Sequence, residues 1–345
     1  MTQQPFEIGT TTVAPGTRVT VNLPVSTLPD HTPVTLSVEV IHGKRPGPVM
    51  FVSAAVHGDE VVGVEIVRRI LRTEQLDKLR GTLLVVPVVN SFGFLNRSRY
   101  LPDRRDLNRC FPGTPKGSLG SRLAHIFLNE VVLRCDFGID LHSAAIHRTN
   151  LPQCRITPGD KTTAAMAQVF GTPVILASTL RDGSLRAEAA ERGTPVLLYE
   201  AGEGLRFDEN SVRHGVAGIL RVMHAKEMIA SKGVTKARSA SLFCKSSEWL
   251  RAPVGGLLRT FRDTGEVVAK GDVLAAVADP FGEFETELVA PAPGILIGRA
   301  VLPIVNEGDA IFHLAALSPQ AKDDTVEDLS AQLEADPLFD EDEII

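Results

Sequence analysis

Two histidines and one glutamate are spaced along this chain as the ligands of a catalytic metal ion are. His57 and Glu60 lie three residues apart in the segment His57-Gly-Asp-Glu60, and His142 lies much further along the chain. Two imidazoles and one carboxylate form the ligand set of a catalytic zinc ion that keeps one position open for water. The sequence therefore predicts a metal site formed by His57, Glu60 and His142.

Each half of this ligand set stands at the end of a predicted buried strand. An uncharged, mostly apolar run, residues 48–56, leads into His57, and a second run, residues 135–141, leads into His142. Ligands of open α/β sheets bind beyond the carboxyl ends of the strands, so both halves are expected at the same edge. Asp140 either orients His142 or simply ends its strand.

A metal-dependent hydrolase also needs a base near its water molecule and a positive group near the developing oxyanion. Glu200 directly follows a strand-like run, residues 195–199, and is the candidate base. Glu203, in the turn that follows, is the close rival.

Five arginines lie within residues 97–109, a stretch whose turn residues and poor periodicity predict a loop. Because arginines bind carboxylates through two parallel hydrogen bonds, this loop predicts a small anionic substrate. The alternative is a solvated loop in which the arginines pair with acids such as Asp103 and Asp106.

The pattern along the chain predicts an α/β fold, with a mainly parallel or mixed sheet flanked by helices. Strands are predicted at 17–23, 34–42, 48–56, 81–89, 135–141, 174–177 and 195–199, and helices at 60–73, 121–133 and 187–192. We assign residues 1–231, including N-terminal strands within 17–42, to one catalytic domain.

Residues 232–247 are polar and predict a linker, and residues 248–318 predict a smaller all-β domain. This β region contains an internal repeat: residues 252–258 resemble 290–296, and residues 270–274 resemble 307–311. Two similar β units facing each other in a small sandwich or barrel are therefore expected. Residues 319–345 form an acidic tail, which composition favours as disordered, with docking on a partner as the alternative.

The bulk composition is that of a soluble globular protein, with 43% hydrophobic and 23% charged residues among 345. No apolar run approaches the roughly 20 residues of a membrane span. The four cysteines form no Cys-x-x-Cys pair, and no signal peptide is evident, so free thiols in the cytoplasm are expected. No nucleic-acid module is evident, and the sequence leaves a homo-oligomer open.

Four motifs in a fixed order resemble the succinylglutamate desuccinylase/aspartoacylase family of zinc-carboxypeptidase-like deacylases, over about residues 30–230. They are His57-Gly-Asp-Glu60, Asp106-Leu-Asn108-Arg109 followed by Phe-Pro-Gly, Asp140-Leu-His142 and Glu200-Ala-Gly. The resemblance implies a zinc-carboxypeptidase-like fold and one Zn²⁺ per chain, held by His57, Glu60 and His142. It also implies Glu200 as the general base.

The same resemblance implies that Asn108 and Arg109 bind the substrate carboxylate and that Arg99 faces the oxyanion, with Arg104 and Arg105 as alternatives because the loop length differs. The family's substrate tyrosine from the C-terminal domain has no match. The β repeat resembles a biotinyl/lipoyl carrier-like barrel-sandwich, but its central hairpin, residues 282–288, carries no lysine for a covalent cofactor.

These features together predict an enzyme of amino-acid metabolism that hydrolyses the amide bond of a small N-acyl amino acid or a related N-acylated amine. The products would be a carboxylate and a free amine. The alternatives are a metallocarboxypeptidase acting on small peptides, an ester or lactone hydrolase that uses the same site, and a metal-stabilised or small-molecule-binding protein without enzymatic activity.

Overall fold

A computed structural model describes residues 3–237 and 239–317. The predicted acidic tail, residues 319–345, lies outside the described residues. The strands are β1 Phe6–Ile8, β2 Thr11–Val13, β3 Thr17–Thr27, β4 Pro33–His42, β5 Arg45–Ala54, β6 Arg80–Val86, β7 Phe137–His142, β8 Arg148–Ile156, β9 Val174–Ala177, β10 Val196–Gly202, β11 Leu242–Arg251, β12 Gly256–Thr260, β13 Val267–Val268, β14 Val273–Ala278, β15 Glu285–Val289, β16 Gly294–Ala300, β17 Ile304–Val305 and β18 Ala310–Leu317.

The α-helices are α1 Val62–Ile70, α2 Ser91–Leu95, α3 Leu119–Glu130, α4 Lys161–Phe170, α5 Leu185–Glu191 and α6 Glu209–Ala225. Short 3₁₀ helices cover Glu74–Lys78, Leu107–Arg109 and Val132–Arg134. Within the described residues, no helix combines the length and apolar character needed to cross a membrane.

Twelve of the described strands form one mixed sheet, in the order β13-β16-β18-β11-β9-β8-β10-β7-β5-β6-β4-β3. The neighbours β10, β7, β5 and β6 run parallel at its centre. Strand β8 runs antiparallel to β10, and β4 runs antiparallel to β6. The predicted α/β class is confirmed, and the sheet is mixed.

Helices cover both faces of the central strands. Met50 and Val52 of β5 belong to the core that contains side chains of α1, α4 and α6. Phe51, between them, points to the opposite core, where its ring meets Phe127 of α3 edge-on at a centroid distance of 6.2 Å. Because alternate side chains of a strand face opposite sides, a strand buried on both faces needs a continuous apolar run. This explains the composition of residues 48–56.

The C-terminal all-β region is present, and the longer strands of its two repeats lie in different sheets, while one short strand of each repeat, β13 or β17, joins the sheet of the other. Strands β12 and β14, from the first repeat, belong to a four-stranded sheet in the order β15-β14-β12-β17. Strands β16 and β18, from the second repeat, extend the large sheet. Leu258, Leu274, Leu296 and Phe312 from both sheets share one core. The two repeats therefore face each other across this core, and we call residues 252–317 the β unit.

Strand β11 differs from the predicted organisation, because it begins inside the segment predicted as a linker, residues 232–247. Leu242 pairs in parallel with Val174 of β9, and Trp249 pairs antiparallel with His313 of β18. One strand thus joins the N-terminal α/β part of the sheet to the β unit. The polar composition of residues 232–247 predicts a linker, because composition alone does not reveal strand partners that are distant in sequence.

Candidate active site

The candidate metal ligands meet at the carboxyl edge of the parallel strands. His57 lies in the turn between β5 and α1, Glu60 lies two residues before α1, and His142 is the last residue of β7. Strands β5 and β7 are parallel neighbours, so their carboxyl ends lie side by side. The structure thereby brings together the three residues that the sequence singled out.

The three side chains form a compact, buried cluster. One ligand atom from each of His57, Glu60 and His142 lies within 4.8 Å of the others. The two oxygens of Glu60 contact one imidazole each: Oε1 lies 2.6 Å from His57 Nδ1, and Oε2 lies 2.7 Å from His142 Nδ1. The Nδ1 atoms of His57 and His142 therefore both face the Glu60 carboxylate.

A second carboxylate contacts the Nε2 atom of each imidazole. His57 Nε2 lies 3.1 Å from Asp106 Oδ1, and His142 Nε2 lies 2.7 Å from Asp140 Oδ2. The Ser53 hydroxyl donates to Asp140 Oδ1 at 2.7 Å and fixes that carboxylate in turn. An imidazole that donates from Nε2 presents its lone pair at Nδ1, the arrangement that orients histidine ligands in metal sites. The donor set therefore fits a divalent cation such as zinc.

Opposite charges within the cluster shift the pKa values of His57, Glu60 and His142. Burial disfavours the charged form of His57, but the charge of Glu60 and the hydrogen bond to Asp106 outweigh burial, so the pKa of His57 is raised. Burial acts the same way on His142, and Asp140 and Glu60 raise its pKa well above the usual value. Burial favours neutral Glu60, yet the charges of both histidines hold its pKa well below the usual range.

Zinc affinity is therefore expected to fall as pH falls. The raised pKa values of His57 and His142 keep their Nδ1 atoms protonated to higher pH than in free histidine, and metal binding must displace these protons. Affinity should weaken about 10-fold per pH unit for each displaced proton. Competition against a chromophoric chelator between about pH 6 and 8 measures this slope. An affinity that does not change with pH would contradict the protonation described above.

Glu200, the candidate base, lies in β10 beside the cluster. It stands opposite His142 in the parallel pairing of β10 with β7. Asn150 Nδ2 donates to Glu200 Oε1 at 3.0 Å, and Arg155 Nη1 lies 3.0 Å from Oε2. The rival Glu203 accepts a hydrogen bond from the His147 backbone N–H at 3.0 Å. Glu200 is thus the one of the two that lies in the strand next to a candidate ligand.

Arg99 is the arginine of the 97–109 loop that reaches the cluster. Its Nη1 lies 3.2 Å from Glu60 Oε1, and its Nη2 lies 3.0 Å from Asp106 Oδ2. Arg104 is exposed, and Arg105 has a side chain 61% exposed, with its Nε 3.7 Å from Asp103. Of the three arginines that the sequence left open, the geometry therefore favours Arg99 as the one beside the site.

Asn108 and Arg109 lie in the same loop, in the 3₁₀ helix that follows Asp106. Asp106 Oδ1 accepts from the Asn108 backbone N–H at 2.8 Å and caps this helix. Asn108 Oδ1 accepts from the Leu185 backbone N–H at 2.9 Å, which ties the loop to the start of α5. Arg109 is exposed and donates to the Asn108 carbonyl oxygen.

Sequence reasoning missed three contacts of the site. It did not assign Asp106 to His57, and it did not anticipate Asn150 or Arg155 as partners of Glu200. The Asp-Leu-Asn-Arg motif marked Asp106 as notable, but no spacing rule linked it to a histidine 49 positions earlier. The other two lie on β8, whose pairing with β10 was not predicted.

The protein is an α/β protein with a candidate metal centre at the carboxyl edge of its sheet. The centre is a buried His–Glu–His cluster, and each imidazole also contacts a second carboxylate. Residues 46–225 match the model of the succinylglutamate desuccinylase/aspartoacylase catalytic domain. The chain belongs to this family.

Individual relatives cover most of the chain. It is 27% identical over 305 residues to the N-alpha-acetyl-L-2,4-diaminobutyric acid deacetylase of Halomonas elongata, covering 82% of this chain and 86% of that protein. The structure of a succinylglutamate desuccinylase/aspartoacylase from Rhodobacter sphaeroides is 25% identical, with a TM-score of 0.75 over 88% of this chain and 96% of that one. The product-bound ectoine utilization protein of Ruegeria pomeroyi shares the fold, with 24% identity, a TM-score of 0.77 and coverage of 87% and 95%.

Proposed function

We propose that the protein is a zinc-dependent hydrolase that cleaves the amide bond of an N-acyl amino acid, giving a carboxylate and a free amine. The observation that carries this proposal is the buried cluster of His57, Glu60 and His142, beside both Glu200 and Arg99. Membership in a family of deacylases supports it, as does the relative named as a deacetylase of an acetylated amino acid.

One zinc ion per chain would be held by Nδ1 of His57, Nδ1 of His142 and the carboxylate of Glu60. A zinc ion in this site supplies Lewis acidity toward the acyl carbonyl and toward a water molecule. Asp106 and Asp140 keep the Nε2 atoms of the two histidines occupied as donors, so the Nδ1 lone pairs stay available.

Glu200 acts as the general base in this proposal. It takes a proton from the attacking water molecule and delivers it to the nitrogen of the leaving amine. The contacts from Asn150 and Arg155 occupy one carboxylate oxygen each and hold the carboxylate beside His142. Its position at the end of a rigid strand limits motion during the two proton transfers.

Arg99 stabilises the oxyanion, and we expect Arg99→Ala to lower kcat/KM about 100-fold. Its guanidinium lies beside Glu60 and Asp106, and in this proposal the acyl oxygen that gains negative charge binds next to it. Steady-state kinetics together with metal analysis measure the effect with zinc content held constant. Arg105→Ala is the matched control and should stay within about twofold, because an exposed ion pair contributes little. Equal losses in both variants would refute the assignment.

Asn108 and Arg109 bind the substrate carboxylate in this proposal, since they share a loop with Asp106 and Arg99. An arginine and an amide together offer several donors to one carboxylate. N-acetylated amino acids, including N-acetyl-2,4-diaminobutyrate, are the first substrates to test, because one relative carries that name.

Amine release from a panel of N-acyl amino acids tests the proposal directly. Zinc-loaded and chelated protein are compared on N-acetyl and N-succinyl amino acids, on dipeptides and on simple esters and lactones. Zinc-dependent release from one N-acyl class supports the deacylase. Cleavage of dipeptides alone would support a metallocarboxypeptidase instead, and cleavage of esters or lactones alone would support the other hydrolase class.

We also propose a cytoplasmic location. All four cysteines are free, as expected in a reducing compartment.

For the β unit we propose a non-covalent role. If the β unit is a carrier-like barrel-sandwich, residues 282–288 are its central hairpin, and they contain no lysine for attachment of a cofactor. The β unit then acts through its contacts with the catalytic part, one of which places Gly298 opposite Asn150, the residue that donates to Glu200.

A further inference from the structure

The β unit is joined to strand β8 by direct backbone pairing. Strand β16 runs antiparallel to the beginning of β8, with Gly298 opposite Asn150. Further along β8, Gln153 Nε2 donates to the carbonyl oxygen of Ile297 at 3.2 Å. Strand β8 thus lies against β16 of the β unit and also against β10, which carries Glu200.

Two side chains of β8 fix the carboxylate of Glu200. Asn150 is only 6% exposed, and its Nδ2 donates to Glu200 Oε1 at 3.0 Å. Arg155 Nη1 lies 3.0 Å from Oε2. The Glu200 carboxylate thus has one side-chain partner on each of its two oxygens, and both partners come from β8.

Gly298 provides the space that Asn150 occupies. A Cβ atom at Gly298 would lie 2.5 Å from Asn150 Oδ1 and 3.2 Å from the Thr149 carbonyl oxygen. Strand β16 is also irregular at this point, with a register shift between Leu296 and Gly298. A side chain here would push the Asn150 amide away from its present position, because protein interiors are close-packed.

We propose that the β unit positions the catalytic base. Strand β16 pairs with β8 at Asn150, and its Gly298 leaves the space in which the Asn150 amide orients the Glu200 carboxylate. Asn150 and Gly298 are positioning residues, and neither needs to touch the substrate. This inference rests on the proposed function, since it takes Glu200 to be the base.

Two variants test the positioning role, with a third as the matched control. Asn150→Ala and Gly298→Ala should each lower kcat about 10- to 100-fold, with KM within about twofold and zinc content unchanged, because a small displacement of a catalytic group is costly. Gly294→Ala is the control on the same strand. Its Cβ would lie 2.6 Å from the Ala315 carbonyl oxygen, so the crowding is similar, but this glycine pairs with Val268 and Ala316 rather than with Asn150. Its kcat should stay within about twofold.

A double-mutant cycle separates positioning from general destabilisation. In the Asn150→Ala background, Gly298→Ala should lower kcat by less than about threefold further, because the atom that it displaces is gone. Full additivity of the two effects would overturn the proposal, and so would a loss of kcat in Gly294→Ala as large as that in Gly298→Ala. Asn150→Ala removes only side-chain atoms, so a native kcat in this variant also overturns the proposal if the glycine variants do not fold.

Different results would contradict the proposed hydrolase function and the positioning role of Asn150 and Gly298. If the wild-type protein releases no amine from any N-acyl amino acid, or if Glu200→Gln keeps its native rate, the proposed function fails. If the wild type is active and Glu200→Gln is inactive, while Asn150→Ala and Gly298→Ala both keep their native kcat, only the positioning role fails.

Discussion

Glu200→Gln is expected to lower kcat by about a thousandfold, within the range that a general base contributes. Glutamine keeps the shape of the side chain and an oxygen that accepts from Asn150 Nδ2, but it does not take a proton from water. Glu200 is not one of the three clustered ligands, so zinc content should stay at the wild-type level. Steady-state kinetics and metal analysis of the purified variant measure both quantities.

Glu203→Gln is the matched control for this experiment. Glu203 lies three residues further on and accepts from the His147 backbone N–H, so its loss weakens a loop contact and leaves the base in place. We expect its kcat to stay within about fivefold of wild type. The base would be Glu203 rather than Glu200 if the two results were exchanged.

Removal of zinc is expected to abolish turnover, and readdition of zinc is expected to restore it. In the proposed mechanism the ion would supply several kcal/mol of transition-state stabilisation, so the loss should be on the order of 10⁴-fold. His142→Ala should give the same loss without recovery on readdition, because it removes one of the three ligand atoms. A zinc-dependent rise in melting temperature should be seen in the wild type and be much smaller in this variant, since a ligand stabilises the state that binds it.

His147→Ala is the control for the histidine variant. His147 is exposed and lies five residues beyond the candidate ligand, and the structure shows its backbone N–H, rather than its ring, in contact with Glu203. Zinc content, turnover and the zinc-dependent thermal shift should all match the wild type. Full activity of thoroughly chelated wild-type protein would remove the metal from the proposed mechanism.

The candidate ligands could be predicted from the sequence because their positions follow from local rules. A continuous apolar run predicts a strand buried on both faces, and parallel strands end at one edge of their sheet. His57 and His142 each follow such a run, so their meeting required no knowledge of loop conformation. The same rule singled out Glu200 in preference to Glu203.

Loop residues were less predictable. The sequence left Arg99, Arg104 and Arg105 open because a loop has no periodicity from which a side-chain direction follows. The fold places Arg99 against Glu60 and Asp106, whereas Arg104 and Arg105 are exposed. The same loop carries Asp106 to His57, a contact that no sequence spacing predicts.

The sequence by itself determined the α/β class, the family and the three clustered candidate ligands, because strand periodicity and short motifs are local properties. Only the tertiary structure decided which carboxylates contact the histidines, that β11 begins within the predicted linker, and that Asn150 contacts Glu200 next to Gly298. These depend on pairing between strands that are distant in sequence, such as β8 with β10 and β16. Such pairing is selected by the packing of the whole chain, and no single segment encodes it.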